Sequence, residues 1–231
     1  MIKKGIVLAG GFGTRLQTVV SDLPKSMAPI AGRPLLEIIL NHLASQGFTR
    51  IILSLGYMAE TIQKHFGDRF AGIDLIYEVE TSPLGTGGAV RQAFLHCISD
   101  HVYIFNGDTY LDAEIHDIEK NWLSAKRPII VSREVPDVSR YGSLQTENGK
   151  IIAISEKNKS GPGLINAGCY VLPKGILDHM PLGKNFSLET DFFPQAVIEY
   201  DFSIFITHGL FIDIGIPKDY FIAQTLLSNM P

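Results

Sequence analysis

Residues 8–16 read LAGGFGTRL, which sets Gly10, Gly11 and Gly13 between an apolar run and Arg15. One glycine suffices to reverse a strand, and each further one costs conformational entropy on ordering. Three in four positions therefore imply that something approaches the backbone closely. The N–H groups of Gly10, Gly11 and Gly13 can converge on an anion in a nest that a Cβ would obstruct. Lys25, in DLPKSMAPI, follows ten residues after Arg15. Either cation alone reads equally well as a solvated loop residue. Together, beside one anion-binding loop, they suit a ligand with several phosphates, because each set of phosphoryl oxygens needs its own counter-charge.

Two familiar phosphate motifs fail the comparison. GGFGTRL lacks the Lys-Ser/Thr end of a P-loop, and the last glycine of a dinucleotide fingerprint is replaced by Leu16. The seven histidines are scattered, and no Ser/His/Asp or Cys/His arrangement stands out. Cys97 and Cys169 sit in the apolar contexts AFLHC and INAGCYVL without the spacing of a zinc site, so both read as buried structural thiols.

The elements that must position the loop follow from periodicity. Residues 6–9 form a strand-like run, and Leu35, Leu36, Ile39, Leu40 and Leu43 then repeat at helical spacing up to Gly47. Strand patterns follow at 50–55, 73–80 and 101–108, alternating with helical patterns at 58–66 and 89–97. This alternation implies βαβ units and a largely parallel sheet, a Rossmann-like first half of about 1–110. The second half, about 111–231, is richer in strands. Asn148-Gly149 between two β-like runs is a hairpin signal, further strands fall at 128–135, 164–172, 202–208 and 211–214, and helices are expected at 188–199 and after Pro217. In SLETDFFP, Ser187 reads as a helix cap with acidic residues in the first turn, outside any site. The expected architecture is one mixed α/β domain over 1–231 with a β-rich second lobe.

The bulk numbers agree with such a domain. With 231 residues, 45% of them hydrophobic and 19% charged, the chain can bury a substantial core. No apolar stretch approaches the ~20 residues of a membrane span. The start, MIKKGIVLAGG, reads as a first strand rather than a secretory signal, and a cytoplasmic protein is expected. A net charge of −4 provides no basic field for nucleic acid, so the partner is expected to be a small molecule. The state of assembly stays open, a homo-oligomer included.

LAGGFGTRL followed by PKSMAPIAGRPLLEIIL, PLGTGGA, FNGDT, RYG, SEK, INAG and FIDIG resembles, in order and over almost the whole chain, the sugar-1-phosphate nucleotidyltransferases. The resemblance implies a Rossmann-like nucleotidyltransferase fold and an Mg²⁺-dependent reaction of an NTP with a sugar 1-phosphate, giving an NDP-sugar and pyrophosphate. By this resemblance Leu8, Gly10, Gly11, Gly13 and Thr14 surround the nucleotide, Arg15 binds the departing pyrophosphate and Lys25 neutralises phosphate oxygens. Asp108 in FNGD and Asp213 in FIDIG match the family's metal ligands. Each alone also reads as a turn or edge-strand residue. Two carboxylates, phosphates and water suit a hard Mg²⁺ if distant parts of the chain reach one cleft.

Glu80 precedes the segment that resembles the base-binding loop, which contains Gly85. An ionised carboxylate only accepts hydrogen bonds. Guanine offers two adjacent donors and can pair with it bidentately, whereas uracil or thymine suits an amide better, so GTP is favoured over other NTPs. A surface Glu at a strand end is the plain alternative. Gly142, Glu156, Lys157 and Asn166 match positions that hold sugar hydroxyls or phosphate in the family, although Glu156-Lys157 also reads as an exposed charge pair. Within the family the chain most resembles the guanylyltransferases acting on D-glycero-α-D-manno-heptose 1-phosphate. Those acting on mannose 1-phosphate come second, and uridylyl- or thymidylyltransferases acting on hexose 1-phosphates third. A non-catalytic nucleotide-sugar-binding subunit is the alternative of another class.

Overall fold

The computed structural model describes residues 3–11, 13, 16, 18–155 and 160–230. Their contacts fall into two compact units between which the chain passes four times: residues 1–83, 105–112 and 210–231 form the first, and residues 84–104 and 113–209 the second.

In the first unit the strand Lys3–Leu8 lies parallel to Phe48–Leu55, which lies parallel to Ile73–Val79, with Arg69–Phe70 antiparallel at the edge. The parallel strands are apolar runs rather than alternating ones, as burial on both faces requires. Ile6, Val7, Ile51 and Leu53 are fully buried. The crossover helix Leu35–Ser45 starts directly after Pro34 and buries Leu35, Leu36, Ile39 and Leu43. It stops at Gly47, whose φ of +85° suits a glycine after a helix end. Ala59–Phe66 makes the next crossover helix. Two later segments join this unit. Thr109–Leu111 pairs antiparallel with Phe211–Asp213, and the helix Pro217–Leu226 follows with Pro217 in its first turn.

The second unit is rich in strands. Ser143–Glu147, Lys150–Ser155, Ser203–Thr207, Ile129–Val135 and Gly163–Pro173 are neighbours in that order, and Ser143 also pairs with Ile165. The first strand thus returns to the last, and the sheet curls toward a small barrel. Asn148 and Gly149 form the expected hairpin turn with φ of +50° and +75°. The register of Gly163–Pro173 against Ile129–Val135 shifts between Asn166 and Cys169, a bulge beside an expected site residue. Helix Ile115–Ala125, for which the sequence analysis has no element, buries Ile115, Ile118 and Trp122. Ser187 caps the next helical segment through bonds from the Glu189 and Thr190 N–H groups, and that segment opens with a π-helical turn, Leu188–Phe192, before the α-helix Phe193–Glu199.

Cys97 and Cys169 are buried free thiols, as expected. Among the described residues no helix is long and apolar enough to cross a membrane.

Candidate active site

In a parallel α/β sheet, ligands bind beyond the carboxyl ends of the strands, and the glycine loop leaves strand Lys3–Leu8 at that end. The three glycines differ in what surrounds them. A Cβ on Gly13, at φ +61°, would fall 2.7 Å from the Lys25 Cβ. Gly13 is therefore glycine so that the Lys25 stem can lie across the loop. A Cβ on Gly10 would fall 3.0 Å from the Gly56 nitrogen and 3.3 Å from Glu80 Oε1. This places the Glu80 carboxylate against the loop, with its backbone N–H fixed to Leu55 O at 2.8 Å. A Cβ on Gly11 would meet none of the described residues within 4 Å, so those residues give no reason for the missing side chain there.

Gly107 brings the next segment in. Its N–H donates to Leu8 O at 2.9 Å, and a Cβ on it would fall 2.6 Å from that oxygen. Only glycine allows this contact, which sets Asp108 beside the end of the first strand. The pairing of Asp213 with Thr109 brings Asp213 to the same place, in the same unit. Lys25 Nζ donates to Asp108 Oδ2 and lies 3.8 Å from Asp213 Oδ1. The Lys25 side chain is 11% exposed, against 36% for Asp108 and 29% for Asp213. The acids are thus more accessible than the cation that joins them. Thr109 Oγ1 donates to Asp108 Oδ1 at 3.1 Å, and Gly215 N–H donates to Asp213 Oδ1 at 2.7 Å, so both carboxylates are oriented from behind.

The chemistry of this donor set fits a hard divalent cation. Two carboxylates from different segments converge on one ammonium and present the hard oxygen donors that such an ion takes. Among the described residues no group of three or more His, Cys, Asp and Glu is gathered for a metal. A bound ion would complete its shell with phosphate oxygens and water, as Mg²⁺ commonly does.

Gly85, Gly142 and Asn166 lie in the second unit. The glycines of PLGTGGA open helix Gly85–Ala93 and pack against the segment before Ser187. A Cβ on Gly85, at φ +68°, would fall 2.5 Å from Phe186 O; one on Gly87, 2.2 Å from the Phe186 ring; one on Gly88, 2.4 Å from Lys184 O. Gly85 is therefore required by packing, whatever else it touches. Gly142 and Asn166 are adjacent, the Asn166 N–H donating to Gly142 O at 3.2 Å.

Asn166 belongs to a polar network that the sequence analysis did not find. Its Oδ1 accepts from Gly168 N–H at 2.9 Å, and its Nδ2 donates to Tyr170 OH at 2.7 Å. Tyr170 OH donates to Glu189 Oε1 at 3.1 Å, while Thr86 and Ser187 hydroxyls donate to Glu189 Oε2 at 2.6 and 2.8 Å. Burial, with the Glu189 charge adding to it, pushes the Tyr170 phenol well above its usual pKa. Thr86 lies inside PLGTGGA and Asn166 inside INAG, the signals that touch this network. Thr14, Arg15, Glu156 and Lys157 lie outside the described residues.

Comparison with known proteins gives a consistent set of relatives. A family model described as nucleotidyl transferase matches residues 4–229. A D-glycero-α-D-manno-heptose 1-phosphate guanylyltransferase from Aneurinibacillus thermoaerophilus is 40% identical over 98% of this chain and 99% of its own length. One from Campylobacter jejuni is 37% identical over 94% of this chain and 97% of its own. The crystal structure of HddC from Yersinia pseudotuberculosis complexed with GMP-PN superposes with a TM-score of 0.88, 38% identity and coverage of 98% of this chain and 100% of that one.

Proposed function

Because the chain belongs to the nucleotidyl transferase family, we propose that it transfers a guanylyl group from GTP to D-glycero-α-D-manno-heptose 1-phosphate, releasing pyrophosphate. The observation that carries this reading is the convergence of Asp108 and Asp213 on the Lys25 ammonium beside the glycine loop. The heptose and the guanine base are supported by relatives of nearly equal length bearing that activity, and by the neighbour complexed with GMP-PN.

The sugar phosphate is already an anion at neutral pH, so its oxygen attacks the α-phosphorus of GTP without a general base. The barrier is mainly repulsion between anions and placement of the developing charge. Lys25, held across Gly13, brings a fixed positive charge to the phosphates as pyrophosphate leaves in line. Gly11 supplies main chain that a phosphate can approach closely. Asp108 and Asp213 would hold Mg²⁺, which when bound neutralises charge on the phosphoryl oxygens. Leu8, Gly10, Thr14 and Arg15 complete the nucleotide site in this reading. Glu80 accepts from N1–H and the 2-amino group of guanine, with Gly85 on the base side. Gly142 and Asn166 of the second unit, together with Glu156 and Lys157, take the sugar hydroxyls and phosphate. The proposed setting is the cytoplasm.

The test is pyrophosphate release from GTP with Mg²⁺ and a panel of sugar 1-phosphates: the heptose, mannose and glucose. Turnover should be highest with the heptose and should fall at least tenfold when UTP or dTTP replaces GTP. Preference for mannose 1-phosphate would reassign the sugar, and binding of GTP without pyrophosphate release would replace the enzyme by a nucleotide-binding subunit.

A further inference from the structure

Among the polar side chains of the second unit, Glu189 stands out because every described hydrogen bond to its carboxylate comes from a hydroxyl. An ionised carboxylate accepts and never donates, so it fixes the direction of each proton around it. Thr86 Oγ1 accepts from Leu188 N–H at 2.9 Å and sends its proton to Glu189. Ser187 Oγ accepts from the N–H groups of Glu189 and Thr190 and does the same. Tyr170, whose side chain is fully buried, also donates to Glu189, so its oxygen can only accept from Asn166.

That direction fixes the Asn166 amide. Gly168 N–H can only donate, which assigns Oδ1 to it, and the accepting Tyr170 oxygen assigns Nδ2 to the other side. Asn166 keeps one N–H and one oxygen lone pair for a ligand, in one orientation rather than two. A vicinal pair of sugar hydroxyls, one accepting and one donating, matches that donor–acceptor pair. The π-helical turn Leu188–Phe192 is where Glu189 sits. Such turns insert one extra residue into a helix and often mark functional positions. Here the turn carries a carboxylate that also ties Thr86, in the GTGG loop, to the strand bearing Asn166.

We infer that Glu189 is a positioning residue for the sugar 1-phosphate: through Tyr170 it orients the Asn166 amide toward the sugar hydroxyls. The inference rests on the reading of Asn166 as a sugar ligand. The three hydroxyl donors take most of the acceptor positions of Glu189, whose role here runs through Tyr170. Glu189→Gln places an amide N–H₂ among those donors and forces at least one of them to turn. Tyr170→Phe keeps the buried ring but removes the acceptor of the Asn166 N–H.

The experiment is steady-state kinetics of the whole chain with GTP, Mg²⁺ and D-glycero-α-D-manno-heptose 1-phosphate, comparing Glu189→Gln, Tyr170→Phe, Asn166→Ala and the double variant Asn166→Ala/Tyr170→Phe. The KM for the sugar phosphate should rise roughly tenfold in both positioning variants, while the KM for GTP stays within about twofold. The double variant should be no worse than Asn166→Ala alone, because Tyr170 acts through Asn166. If Glu189→Gln fails to fold, Tyr170→Phe still decides the matter. A raised sugar KM in Asn166→Ala with parental values in both positioning variants overturns the positioning role alone, and an equal rise in both KM values does the same. A parental sugar KM in Asn166→Ala overturns the sugar-site reading and this inference with it.

Discussion

Lys25 links the glycine loop to the acids, its stem across Gly13 and its ammonium between Asp108 and Asp213. These three residues were legible in the sequence because each sits in a short motif whose residue types have few other uses together. Their meeting at one place was expected only through the resemblance, because the contacts that make it, Gly107 against Leu8 O and Asp213 against Thr109, leave no local signal. Glu189 was hidden for a different reason. Ser187 and Glu189 read fully as a helix start, and that local reading is correct, so nothing in their own stretch marked the tertiary bonds from Thr86 and Tyr170. Glu80 carries the base preference in this account. Glu80→Gln replaces an acceptor pair by one acceptor and one donor, so it should raise the KM for GTP about tenfold and narrow the GTP/UTP preference. Nucleotide competition assays check this, and an unchanged preference would remove Glu80 from the base site.

At the scale of elements, the alternating strands and helices of the first unit and the Asn148-Gly149 hairpin followed from periodicity and turn chemistry. Helix Ile115–Ala125 did not, because its buried stripe is only Ile115, Ile118 and Trp122 among polar residues. The GTGG turn shows how one motif serves two demands. Its glycines resemble a base-binding loop, yet Gly85, Gly87 and Gly88 are each needed for Lys184 and Phe186 to approach. Gly85→Ala would place a Cβ against the Phe186 carbonyl at a positive φ, so it should lower unfolding free energy by about 2–3 kcal/mol without nucleotide present. Urea denaturation measures it, and a parental midpoint would show that the loop can open without strain. A second element with a positioning role is helix Pro217–Leu226. Tyr220 OH and Gln224 Nε2 both donate to Pro29 O at 2.8 Å, and Gln224 Oε1 accepts from Ala31 N–H at 2.8 Å, bracing the turn that follows Lys25.

For the molecule as a whole, the four passages of the chain between units explain why composition marked no boundary: each unit is assembled from separated segments. The first unit also sets an acid limit to stability. His42 is buried, with Nδ1 3.3 Å from Tyr110 OH and Nε2 3.4 Å from Asp112. Burial lowers its pKa more than the Asp112 charge raises it. The unfolded chain therefore binds a proton near pH 6.5 that the folded chain takes up only at lower pH, and stability falls as pH drops below that point. His42→Gln should show a smaller loss of melting temperature than the parent between pH 7 and pH 5, and equal losses would contradict the assignment.

The most direct measurement is the Mg²⁺-dependent release of pyrophosphate from GTP and D-glycero-α-D-manno-heptose 1-phosphate by Asp108→Asn beside the parent, at matched melting temperature. The account predicts a fall of at least ~100-fold in kcat with the fold intact, as expected for loss of a group that organises transition-state charge. Turnover near the parental rate would contradict the claim that Lys25, Asp108 and Asp213 form the reaction centre.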